Sequence, residues 1–270
     1  MEEKILKNCR KGMPVLLLVL LSYVAAIALC ILGAVWTESG QELAGGLVLA
    51  VSIAWLCLGW IFLCGLKVIK PQEALVLTLF GKYVGTLRGE GFYYVNPFCT
   101  GVNPAAKTRL KQSGDVDGQS SGALAAAAVA AAGAEAAGKK ISLKIMTLNN
   151  NRQKINDCLG NPVEIGIAVM WRVTDTAKAV FNVDNYKEYL SLQCDSALRN
   201  IVRIYPYDVA PGVDTTGDGV ADEGSLRGSS EVVAQRIKEE IQSKVSDAGL
   251  EVIEARITYL AYAPEIAAVM

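Results

Sequence analysis

Few residues in this 270-residue chain have the type and spacing that chemistry needs. It contains no histidine, so zinc-finger, histidine-metal and Ser-His-Asp mechanisms lack their imidazole ligand or base. The 7 cysteines, at 9, 30, 57, 64, 99, 158 and 194, form no CxxC pair and are odd in number. Neither a disulfide framework nor a thiolate metal cluster follows from that spacing. Ser191 lacks the context of a nucleophile elbow. Composition alone leaves a Ser-Lys arrangement open, although Ser121, in a small-residue stretch, is poorly positioned for one. Asp214, Thr216, Asp218, Gly219 and Asp222 match positions 1, 3, 5, 6 and 9 of a calcium loop, but Ser225 stands where position 12 requires a bidentate glutamate. That segment reads as a solvent-facing connection between helices. Gly85, Gly89 and Gly91 give GxxxGxG, which is not the dinucleotide fingerprint and opens no helix toward a phosphate. The expectation is a chain with no catalytic, cofactor-binding or metal-ligating residues, and no cofactor.

The elements that carry these residues are more informative. Residues 12–37 and 43–66 contain no charged side chain, and each run can cross a hydrocarbon layer of roughly 30 Å as a helix. The first is too long for a signal peptide and is followed almost at once by the second. Lys4, Lys7, Arg10 and Lys11 precede the pair, Lys67 and Lys70 follow it, and Glu38 and Glu42 lie in the short turn between. The positive-inside asymmetry places both outer flanks on the cytoplasmic side. Trp36, Trp55 and Trp60 are expected near the headgroup layer. With no ionisable group inside either run, the hairpin offers no proton relay or ion path and reads as an anchor. A near balance of 26 basic and 27 acidic residues gives no support to nucleic-acid binding.

Beyond Lys67 the pattern is mixed. EALVLTLF (73–80), GFYYVNPF (91–98) and ISLKIMTL (141–148) read as strands, and residues 112–140 form a small-residue, low-complexity insertion. In VEIGIAVMWRV (163–173) strict alternation predicts a long strand with Val163, Ile165, Ile167, Val169, Trp171 and Val173 on its buried face. Trp171 is expected to be core, contributing about 2–3 kcal/mol of apolar burial. Asp175 is placed to cap a short helix TAKAVF, and Asn185 to cap a longer one whose apolar line includes Tyr186, Tyr189, Leu190, Ala197, Leu198, Ile201 and Val202. Ser229 or Ser230 should open a further helix along Val233, Ile237, Ile241 and Val245, with Gly249 as its stop. A strand at 251–260 and a helix start at Pro264 and Glu265 follow.

Several of these stretches share wording with a known family. VIKPQEALVLTLFGKYVGTLRGEGFYYVNPF, SALRNIVRIYPYD and GLEVIEARITYLAYAPEI resemble the band 7 or SPFH family of stomatins, prohibitins, flotillins and bacterial relatives. The resemblance spans roughly residues 67–270, the insertion apart. It implies an α+β fold: a two-helix transmembrane hairpin (about 13–36 and 43–66, within an N-terminal segment 1–66), an SPFH1-like membrane-proximal region (67–160) carrying the insertion 112–140, and an SPFH2-like α/β region (161–263). Residues 264–270 would begin a C-terminal helix or coiled coil that the chain truncates. The implied function is a non-enzymatic, membrane-anchored scaffold that self-associates into large homo-oligomeric rings or cages and organises membrane microdomains. Its implied partners are membrane lipids and a membrane protease or transporter as client, with no nucleic acid. The competing expectation is an adaptor or regulator of one such client without cage formation. The implied location is the cell membrane, multi-pass, with the SPFH domain cytoplasmic.

Overall fold

The computed structural model describes residues 2–6, 10–38, 42–108, 110, 138–150, 152–208 and 224–264. Most of the alanine-rich insertion, the calcium-like positions 214–222 and the turn after Pro264 lie outside the described residues. The chain divides into two compact units, Lys4–Val102 and Met1–Glu3 with Asn103–Met270.

The first unit runs β1 (Arg10–Lys11), α1 (Gly12–Glu38), α2 (Glu42–Leu58), α3 (Trp60–Cys64), β2 (Leu66–Ile69), β3 (Glu73–Leu79), β4 (Lys82–Arg88), β5 (Gly91–Tyr94) and β6 (Thr100–Gly101). Gly12–Thr37 and Leu43–Cys64 are each long and apolar enough to cross a membrane. Their outer surfaces carry leucines such as Leu18, Leu21 and Leu43 with no protein against them, as lipid-facing positions do. The seam between them is built from small side chains at steps of seven. Val19, Ala26 and Gly33 are buried on α1, and Gly45, Ser52 and Gly59 on the returning span. Seven-residue spacing keeps one stripe facing a partner helix, and small residues let the backbones approach. A Cβ added to Gly45 would lie 2.7 Å from the Thr37 amide nitrogen and 2.8 Å from the Gly33 carbonyl oxygen. Hydrogen bonds cross the seam as well: the Tyr23 hydroxyl donates to the Leu56 carbonyl at 3.4 Å, and the Trp55 indole N–H donates to Ser22 Oγ at 3.4 Å.

The second span differs from the single helix expected over 43–66. It is interrupted at Gly59, whose carbonyl accepts from Phe62 N–H at 3.1 Å, and it stops at Cys64 because Leu66 is recruited into β2 opposite Tyr94. Two antiparallel sheets follow, β1-β5-β2 and β4-β3-β6. Ile69, Leu75, Leu77, Leu87, Val95 and Cys99 form their shared core. The expected strand 91–98 ends at Tyr94, where Pro97 and the Asn96 turn break the ladder. Thr86 N–H donates to the Lys4 carbonyl, and Leu6 N–H to the Thr86 carbonyl, so the N-terminal residues of this unit lie along β4.

The second unit contains a 3-10 turn at Pro104–Lys107, β7 (Ile141–Ser142), β8 (Met146–Asn149), β9 (Gln153–Asn156), β10 (Pro162–Val173), α4 (Thr176–Phe181), α5 (Tyr186–Val202), α6 (Ser230–Val245), a 3-10 turn at Ser246–Ala248 and β11 (Leu250–Tyr262). The single strand expected over 141–148 is thus two short ones. β10 is the centre of the sheet: β11 pairs along one edge, while β8 and β9 share the other. All six residues assigned to its inner face, from Val163 to Val173, are buried. Trp171 meets Tyr186 edge to face with ring centroids 6.2 Å apart. Among the described residues its indole N–H has no hydrogen-bond partner.

The expected caps form in two of three places. The Asp175 carboxylate accepts from Lys178 N–H at 2.9 Å, and Asn185 Oδ1 accepts from the Lys187 and Glu188 amides at 3.2 and 3.4 Å. Ser229 occupies the cap position of α6 without a side-chain bond to the helix. Ser225 turns the preceding chain instead, its Oγ accepting from Gly228 N–H at 2.9 Å. Gly249 closes the 3-10 turn with φ 67°, a left-handed conformation that suits glycine. Asp157 is buried and pins the loop before β10: its carboxylate accepts from the Leu159, Asn161 and Tyr207 amides. No coiled coil is present among the described residues.

Candidate membrane interface

The candidate interface lies in the first unit, where the hairpin meets its sheets. β5 begins at Gly91, opposite Ile69, and ends at Tyr94, opposite Leu66. Leu66 follows directly on the second span, so the Tyr94 end of β5 is the end beside the helices. Val95 N–H then donates to the Gly65 carbonyl at 2.9 Å. Phe98 is three residues further on, within about 10 Å of that point along any path the backbone can take.

Phe80 arrives at the same place from the other side. In the β3–β6 ladder Leu77 pairs with Gly101 and Thr78 with Thr100, and continuing that register brings Phe80 opposite Phe98. Their rings are stacked with centroids 6.3 Å apart. Both are nevertheless open to the surroundings, Phe80 at 86% and Phe98 at 58% exposure. Phe80 holds a left-handed backbone, φ 47°, an uncommon and costly conformation for a bulky residue. It turns the side chain out of the strand into the open instead of completing the buried β3 pattern.

The other aromatics of this stretch are spent on packing. The Phe92 ring lies where a Cβ on Gly12 would be, 2.7 Å from its Cδ1, and the Tyr94 ring closes on Gly65. Tyr93 packs against the sheet core. Of Phe92, Tyr93, Tyr94 and Phe98, the structure leaves only Phe98 largely exposed, and it supplies Phe80 as a partner. Sequence reasoning missed Phe80 because it continues the apolar run of β3 without a break. The following Gly81, with φ 85°, was the available signal for a turn.

Charge is distributed unevenly around this end. Lys11 precedes α1, Lys67 follows the second span and Lys82 follows the Phe80 turn. The acidic residues of the unit's sheets, Glu73 and Glu90, lie at the opposite ends of β3 and β5. Cys99, beside the aromatic pair, is buried, which pushes its thiol up, while the Lys67 charge pulls it down.

Residues 67–270, more than half of the chain, match the SPFH domain / Band 7 family. The chain belongs to the SPFH / Band 7 family. No curated protein matches it at a significant level. SPFH domains are non-catalytic scaffolds associated with membranes, and this one follows two apolar helices consistent with a multi-pass membrane protein. Among the described residues no group of three or more histidine, cysteine or carboxylate side chains could hold a metal ion. Of the calcium-like loop only Gly224 and Ser225 are described, and both are buried.

Proposed function

We propose that this SPFH protein is a membrane-anchored scaffold that self-associates into rings or cages and gathers membrane proteins and lipids around them. The observation that carries the reading is the construction of the first unit. A transmembrane hairpin with a close-packed seam and a stacked, exposed aromatic pair at the hairpin's end together form a two-part grip on one leaflet. Aromatic rings at that depth lower the free energy of the headgroup layer contact, and Lys11, Lys67 and Lys82 favour anionic headgroups within a Debye length of the surface. The basic flanks on either side of the hairpin and the acidic turn between its helices favour a cytoplasmic domain. In this reading residues 67–160 are the membrane-proximal SPFH1 region, 161–263 the SPFH2 region, and a helix starting at Pro264 adds lateral contacts.

The lipid contact is tested with a photo-reactive diazirine amino acid at position 98 of the full chain in bilayers containing anionic phospholipid, with position 90 as the control. Crosslinking to phospholipid is expected at 98 and not at 90. Equal labelling at the two positions, or none at 98, contradicts the grip.

A further inference from the structure

Helix α6 has three sides, and one bonds to the rest of the fold only at its last member, Gln242. Val233, Ile237, Ile241 and Val245 are buried against the sheet. A second side meets α5, where the Tyr189 hydroxyl donates to the Lys244 carbonyl at 3.0 Å and Asn200 Nδ2 donates to Glu240 at 3.4 Å. The third side runs alongside the free edge of β11. Its last member, Gln242, imitates a neighbouring strand: its Nε2 donates to the Leu250 carbonyl at 3.1 Å and its Oε1 accepts from Val252 N–H at 2.7 Å.

Those bonds show that Val252 directs its backbone groups away from β10. Val252, Ala255 and Ile257 sit opposite Trp171, Val169 and Ile167, alternate residues of β10, so Ala255 and Ile257 direct theirs to the same free edge. No counterpart of Gln242 closes these rungs among the described residues. A groove of about 450 Å³ opens there between α6 and β11.

The lining of that groove carries opposite charges on either side of two alanines. On the strand, Glu254 and Arg256 lie one step either side of Ala255; on the helix, Glu231 lies three residues before Ala234 and Lys238 four after it, so that pattern centres between Ala234 and Gln235. Opposite charges that flank a small central position are complementary to their own antiparallel copy. We propose that this groove is the contact surface for a second copy of the chain, with β11 pairing antiparallel to β11 and α6 to α6 about a two-fold axis that passes Ala255 on the strand and the Ala234–Gln235 step on the helix. Glu254 then faces the partner's Arg256, and Glu231 faces the partner's Lys238. Sliding the strands by two residues would set Arg256 against the partner's Arg256, a like-charge pair that disfavours the alternative register. Ala234 lets the helices approach, and the exposed edge strand, a liability on its own, becomes an interior strand of a continuous sheet. The inference rests on the self-association proposed above and names one of its contacts. Such a contact is closed, so it makes pairs; a larger particle needs a second surface and contains an even number of copies.

The test uses the full chain in mild detergent, with Ala234→Cys as a reporter of disulfide crosslinking across the axis and the unsubstituted chain as background. Crosslinked dimer should exceed background at least tenfold. Adding Arg256→Glu, or separately Glu254→Lys, should cut it at least tenfold. Co-expressing the two variants should restore it to within twofold: the ion pair that Arg256 Nε makes to Glu254 within each chain at 2.5 Å stays broken in both variants, while both contacts across the axis become complementary. A dimer signal no higher than background, one indifferent to Arg256→Glu, or one that co-expression does not restore overturns the proposal. If electron microscopy of the same sample still shows particles of many copies, the scaffold survives and only this contact fails. If both signals are absent, the self-association reading fails with it.

Discussion

Cys194 shows how the core constrains a reactive group. It is fully buried on α5, and burial, with the neighbouring Asp195 charge second, pushes its thiol up to about 12 from an ordinary 9.0. The folded state therefore favours the neutral thiol. That contribution to stability is complete below the unfolded value near 9 and is lost as pH rises from there through about 12. The loss is at most about 4 kcal/mol. Alkaline unfolding followed by circular dichroism should be shallower for Cys194→Ala than for the parent between pH 9 and 11, and identical slopes would contradict the assignment. Trp171 offers a second residue-scale expectation. An unpartnered buried N–H costs about 1–3 kcal/mol, so Trp171→Phe should lie within about 1 kcal/mol of the parent despite the smaller ring. Trp171→Ala should cost about 3–5 kcal/mol. Thermal unfolding in detergent separates the two. The burial of Trp171 was legible from alternation alone. The orphaned N–H was not, because it depends on which groups of α5 and the preceding loop end up above the ring.

At the scale of elements the hairpin is where sequence and structure complement each other. Two charge-free runs are sufficient to expect two membrane helices, yet the seam between them depends on which residues recur every seven positions, and in a run of apolar residues that signal hides among equally apolar neighbours. Gly45 and Gly46 make the distinction testable. Leucine at Gly45 must displace backbone atoms of Thr37 and Gly33, whereas Gly46 has nothing within 4 Å of its would-be Cβ. Gly45→Leu should destabilise the hairpin by about 1–3 kcal/mol, lowering the thermal midpoint in detergent, while Gly46→Leu leaves it within error. Equal effects would show that the helices do not pack along this stripe. Elsewhere, strong local signals carried through: Asp175 and Asn185 cap where their side chains can reach free amides, and Val233 to Val245 form one buried line. Weaker ones failed for tertiary reasons. The 91–98 strand stops at Tyr94 because its partner β2 begins opposite that residue and the Asn96 turn and Pro97 follow. Ser229 caps nothing because Ser225 has already turned the chain.

For the whole molecule, the family and the mixed α/β class were legible from motifs that are local in sequence, and the exposed aromatic pair was half legible. Phe98 could be named from composition beside Pro97, but Phe80 required the β3–β6 register that sets it opposite. The anchor, the proposed aromatic grip and the proposed pairing of β11 edges are separate devices, each with its own residues. They converge on one claim, that many copies assemble while held to a membrane. Electron microscopy of the protein extracted in mild detergent with its surrounding lipid tests that claim most directly. The account predicts closed rings or cages of many copies around a lipid patch, whereas monomers or a small fixed complex with another protein would contradict it.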